Sequence, residues 1–135
     1  MRGIATSLVI LAGIFHVGAF YKEVFGATGL ADRLVGLDLN ALEEMPGFET
    51  YGRRIASLIW NQGVYNGFLA AGLLLSFLQS ETAAWQTRVF LSACIVVAGL
   101  FGGVTVNSLL FAQAGLGALT LAAVLAAGAG KARTG

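Results

Sequence analysis

Four long apolar runs, each set off from the next by polar or charged residues, dominate this 135-residue chain. A helix that crosses a bilayer needs about 20 mostly apolar residues. Residues 3–21, 55–78, 89–106 and 109–129 each supply such a run. The runs are continuous rather than alternating, which excludes the strands of a transmembrane barrel. Arg2, Arg53, Arg54, Arg88, Lys131 and Arg133 stand at their ends, where cationic heads reach water or lipid phosphate. The pattern predicts an all-α, integral membrane four-helix bundle forming one transmembrane domain over residues 1–135. The first run is too long for a signal peptide, and no clear A-x-A cleavage site follows it.

The connections differ in length. Residues 22–53 form a long loop between the first two helices, carrying the only proline, Pro46, and six of the seven acids: Glu23, Asp32, Asp38, Glu43, Glu44 and Glu49. Leu30, Leu34 and Leu37, then Leu39, Leu42 and Met45, recur at helix-like spacing. They predict short amphipathic pieces on the membrane surface, with a loosely ordered solvated loop as the alternative. A short polar link over 79–88 joins helices two and three. Almost nothing beyond Asn107–Ser108 joins helices three and four, which predicts a tight antiparallel hairpin with Asn107 capping its turn.

Composition sharpens the class and removes others. Apolar residues make up 57% of the chain and charged ones 11%, against about 25% charged in soluble domains. Eight Lys and Arg against seven Asp and Glu give a net charge of +1, so nothing marks a nucleic-acid partner. One cysteine, Cys94, and one histidine, His16, exclude a disulfide scaffold and a multi-histidine metal site. No metal and no cofactor is implied. The cationic flanks divide four against four; three of the four on the terminal side sit at compact ends, which points to cytoplasmic termini in a bacterial inner membrane.

At about 1.5 Å of rise per residue, His16 lies roughly 6 Å from the midplane of helix one, toward the long loop. Glu23, seven residues on, continues that stripe. Asn61, Gln62, Tyr65 and Asn66 on helix two, Thr105 and Asn107 on helix three and Gln113 on helix four fall in the same half. The other half holds only small polar residues: Thr6, Ser7, Ser76, Ser92 and Cys94. Amides and ionisable groups are costly in hydrocarbon unless paired or wet. The economical expectation is a polar intramembrane pocket with His16, Glu23, Asn61, Gln62 and Asn66 all facing inward, lined further by Tyr65, Thr105 and Gln113. Taken singly, each amide is interhelical glue and His16 a satisfied core histidine. A pocket role further predicts that Asn66→Leu and Gln62→Leu damage function more than stability. Gly63 with Gly67, and Gly99 with Gly103, are small-xxx-small pairs that predict close helix packing within the chain.

The run Asn61-Gln62-Gly63-Val64-Tyr65-Asn66-Gly67-Phe68-Leu69-Ala70-Ala71-Gly72-Leu73 resembles the signature of a family of small bacterial and fungal membrane proteins, domain of unknown function thirteen hundred and four. His16, the stretch Lys22-Glu23-Val24-Phe25 and the block from Val97 to Val106 match that family's other motifs. Lys22 replaces an apolar residue, and the first loop is longer than typical. The resemblance implies four spanning helices and no particular activity.

Three functions fit these residues. The first is binding or moving a small amphiphilic or lipid-like molecule, oriented by the amides and supplied with a charge or proton by His16 and Glu23. The second is a structural or assembly subunit of a homo-oligomer or larger membrane complex. The third is an isomerase or hydratase acting on a lipophilic substrate, with His16 and Glu23 as its candidate acid and base.

Overall fold

A computed structural model describes residues 2–26, 48–106, 108 and 110–132. Among them stand four α-helices: α1 (Arg2–Phe25), α2 (Phe48–Leu75), α3 (Glu81–Thr105) and α4 (Leu110–Ala132), with a 3₁₀ turn over Ser76–Leu78 after α2. No strand occurs among the described residues. The amphipathic pieces expected from Leu30 to Met45 and the cap expected at Asn107 lie outside them.

The helix ends follow local chemistry. Lys22 sits in the last turn of α1, where a cation complements the helix dipole, and Gly26 N–H closes that turn on Lys22 O at 2.9 Å. The chain leaves the 3₁₀ turn through an extended Gln79 and re-enters a helix at Ser80, the N-cap of α3, with Glu81 in the first turn. The link between α2 and α3 is therefore shorter than the residues 79–88 expected from hydropathy. Helix α3 begins eight residues before the expected 89; Ser80 occupies the N-cap position without a side-chain cap hydrogen bond, and Glu81 sets an anion in the first turn, where it complements the helix dipole. Arg88 consequently lies two turns inside α3 instead of at its end. Helix α2 likewise starts at Phe48, not 55, taking the end of the expected loop into a helix.

Helices α1 and α3, with α4 over Leu110–Gly128, are long and apolar enough to cross a membrane. Helix α2 is longer than any of them, but Asn61, Gln62 and Asn66 dilute its apolar character, and it is not among these three. Large apolar side chains such as Ile4, Ile14, Phe90, Phe101 and Val104 are exposed. Apolar faces of this extent suit lipid rather than water.

The chain divides into two compact units, Met1–Phe15 with Leu69–Gly135, and His16–Phe68. In the first, Val9, Ala12, Leu73, Ile95 and Val124 form the buried core. Small residues bring its helices together. A Cβ on Gly99 would strike the backbone of Ala114, and one on Gly117 would meet Ile95 and the Val96 nitrogen. Thr120, fully buried on α4, donates its hydroxyl to Leu116 O at 2.8 Å, with Leu8 O of α1 at 3.5 Å. Thr120 and Arg88 add to the small polar set expected in that half of the bundle. In the second unit, Gly63 sits against Glu23 and Val24, and Gly67 against the ring of Phe20. Both glycine pairs thus serve packing within the chain.

Gly99 gives a direct test of this packing. Gly99→Ala forces backbones apart and is expected to destabilise the protein by about 1–3 kcal/mol. Gly115, on the same hairpin but with open space around it, serves as the control. Gly115→Ala should be neutral or stabilising by up to about 1 kcal/mol. Thermal unfolding in a non-ionic detergent reads both.

Candidate functional site

On α2 the buried residues Gly63, Asn66, Ala70 and Leu73 follow one another at spacings of three and four, a single stripe of a helix. Asn66 is the only amide on it. On α1, His16 is fully buried and Glu23 half-buried, seven residues apart and so on nearly the same face. The Gly63 and Gly67 contacts hold α1 and α2 close enough here for short side chains to meet.

They form a linear chain. His16 Nδ1 lies 2.7 Å from Asn66 Oδ1, and Asn66 Nδ2 donates to Glu23 Oε2 at 2.6 Å. A carboxylate only accepts, so it fixes the amide with its NH₂ toward Glu23 and its oxygen toward the imidazole. His16 Nδ1 must then carry the proton and donate. Every donor in the chain points toward Glu23, whose carboxylate is the terminal acceptor. Among the described residues, Oε1 of Glu23 has no hydrogen-bond partner.

The structure thus brings together His16, Glu23 and Asn66. Asn61 and Gln62 are exposed, as is Tyr65, whose ring packs edge-on against Phe68 at 6.3 Å. This corrects the expectation that all five of His16, Glu23, Asn61, Gln62 and Asn66 face inward. The amides share a depth, but each residue also turns the helix by about 100°, which carries Asn61 and Gln62 off the buried stripe. Thr105 and Gln113 belong to the other unit. Thr105 is exposed and bonds back to Phe101 O at 2.8 Å. Gln113 is buried. No cluster of three metal-ligating side chains occurs among the described residues.

Sequence reading missed a second polar feature. A cleft of about 990 Å³ opens beside Arg2, Ser76, Trp85 and Arg88. The signal was present in the spacing of Glu81, Trp85 and Arg88 at i, i+4 and i+7, but it became visible only once α3 was known to start at Glu81.

The hydrogen-bonded chain changes what substitution should do. Asn66→Leu removes both partners at once and leaves a buried imidazole N–H without an acceptor, so it should destabilise the protein by about 1–2 kcal/mol. Asn61→Leu and Gln62→Leu should leave thermal stability nearly unchanged. Melting of the three variants side by side in detergent checks this. It replaces the expectation that Asn66 and Gln62 behave alike.

No curated protein and no solved structure matches the chain. A family profile does match, over residues 10–125: DUF1304, described as a protein of unknown function. The match takes in His16, Glu23, the α2 stripe, all of α3 and α4 as far as residue 125, and on that extent the chain belongs to the DUF1304 family.

Proposed function

We propose that the protein binds a small amphiphile whose head is a cation or a strong hydrogen-bond donor, and that Glu23 receives that head. The observation carrying this reading is the His16–Asn66–Glu23 chain. A half-buried carboxylate beside α2 is costly unless it is stabilised, and here one oxygen is fixed by a buried amide that a buried imidazole in turn orients. The other oxygen remains to accept from a ligand. Orientation through a second and third residue lowers the ordering cost of binding, which favours affinity. His16 and Asn66 are positioning residues in this scheme.

The experiment is titration of detergent-solubilised protein with dodecylamine, dodecanol and dodecanoate, followed by calorimetry. Dodecylamine should bind more tightly than the other two. Glu23→Gln keeps an acceptor for Asn66 and should preserve the melting temperature while weakening dodecylamine binding about tenfold or more. Equal binding of the three probes, or a Glu23→Gln protein that binds dodecylamine as the parent does, overturns the proposal.

The outer face of α2 favours a second reading, an assembly subunit. Asn61, Gln62 and Tyr65 are exposed there, and amides on a lipid-facing helix surface gain from partners on another chain. Under this reading a Gln62→Cys protein forms a disulfide-linked oligomer in native membranes, whereas a Trp60→Cys control, exposed but about 160° round the helix from Gln62, does not.

A further inference from the structure

We infer that the cleft beside Arg88 is a binding site for the phosphate head of an anionic phospholipid, with the lipid's acyl part lying along the cleft's apolar wall. The inference is independent of the reading of Glu23, because the cleft belongs wholly to the unit formed by Met1–Phe15 and Leu69–Gly135.

The cleft is built where helices end. Arg2 is the first residue of α1, Ser76 and Phe77 form the 3₁₀ turn after α2, and Trp85 and Arg88 stand on the opening turns of α3. Arg88 is seven residues past the start of α3, roughly 10 Å along its axis, a depth suited to the boundary of headgroup and hydrocarbon. Trp85 is of the type that favours this boundary. Its indole nitrogen lies against Gly128 of α4, where any Cβ would collide with it, so the missing side chain leaves the indole its seat in the cleft wall.

Arg88 is held in place before any ligand arrives. Its Nε donates to Ser76 Oγ at 2.8 Å, and its Nη2 approaches Ser76 O at 3.4 Å. The Ser76 hydroxyl donates to Leu73 O at 2.6 Å, so its lone pair is left for the guanidinium. The guanidinium carbon rests 4.3 Å above the centre of the Phe77 ring. These contacts use one edge and one face of the guanidinium. The remaining N–H groups have a geometry that matches phosphate oxygens bidentately. No carboxylate pairs with Arg88 among the described residues, and a cation inside an apolar helix calls for an anion.

The rest of the lining fits an amphiphile. Among the described lining residues Arg2 adds a second cation, against the one carboxylate of Glu81. Ala5, Ala84, Val124, Leu125 and Ala127 supply an apolar wall. The volume, about 990 Å³, lies at the upper end of ordinary ligand sites and has room for a headgroup with the first part of its chains.

Trp85 makes the test direct. The chain has two tryptophans, so Trp60→Phe leaves Trp85 as the sole reporter. That protein is placed in phosphatidylcholine nanodiscs doped with brominated phosphatidylglycerol or brominated phosphatidylcholine, and quenching is titrated at constant ionic strength. Phosphatidylglycerol should be preferred over phosphatidylcholine by about tenfold or more, and Arg88→Gln should bring the preference close to one. Arg2→Gln, an exposed change that leaves the core untouched, should reduce the preference several-fold, and it decides the matter if Arg88→Gln does not fold. No preference in the parent protein, or a preference that survives both substitutions, overturns the inference. Displacement of the lipid by excess inorganic phosphate, with chloride at equal ionic strength inert, also overturns it by assigning the site to a soluble phosphate.

Discussion

In hydrocarbon, helices gain little by hiding apolar surface from one another, because lipid is as apolar as leucine. Association must come from close packing and from polar groups that find partners. Both units obey that constraint in the same two steps. Small residues bring backbones together, Gly63 and Gly67 in one unit and Gly99 and Gly117 in the other. A polar side chain then closes the gap: Asn66 between His16 and Glu23, Thr120 between the α4 backbone and that of α1. The glycines come first in the logic. An Asn side chain reaches only one neighbour across a leucine-wide gap, and here it reaches two.

The two polar features differ in how far that closure goes. Among the described residues, the His16–Asn66–Glu23 chain ends on a carboxylate oxygen with no hydrogen-bond donor. Arg88 has its position fixed by Ser76 and Phe77, with no carboxylate beside it among the described residues. The first arrangement is an acceptor awaiting a donor and the second a donor awaiting an anion. Their opposite chemistry is why a cationic probe suits one and an anionic lipid the other.

Much of the fold was legible in the chain because hydropathy over 20 residues is a strong signal. The helices, their order and the intrachain role of both glycine pairs could be read from it. The boundaries could not. The opening turns of α3 are polar, so hydropathy alone reads them as part of the link. At the site, the gathering of His16, Asn66 and Glu23 in one half of the bundle was legible from depth, one coordinate of a helix, whereas their direct hydrogen bonding was not. The fate of Asn61 and Gln62 depends on the other coordinate, angle, and one sequence shows no angle until the buried stripe of α2 is known. The Arg88 cleft was hidden for the first reason: with the helix thought to start after it, Arg88 looked like one more flanking cation.

The early start of α3 has a consequence for the lipid around it. At about 1.5 Å per residue, its 25 residues extend roughly 37 Å, longer than the ~30 Å hydrocarbon layer. The surplus lies at the end that carries Glu81, Thr82 and Gln86. A helix longer than the hydrocarbon layer meets a thicker bilayer by immersing more of its overhang and a thinner one by tilting. Arg88 marks the inner limit of that travel, since it is anchored to the turn after α2 and α3 cannot slide past it without breaking the anchor. Membrane thickness and the seating of one arginine are therefore mechanically linked, and the composition of the surrounding bilayer would set how deeply that arginine is immersed.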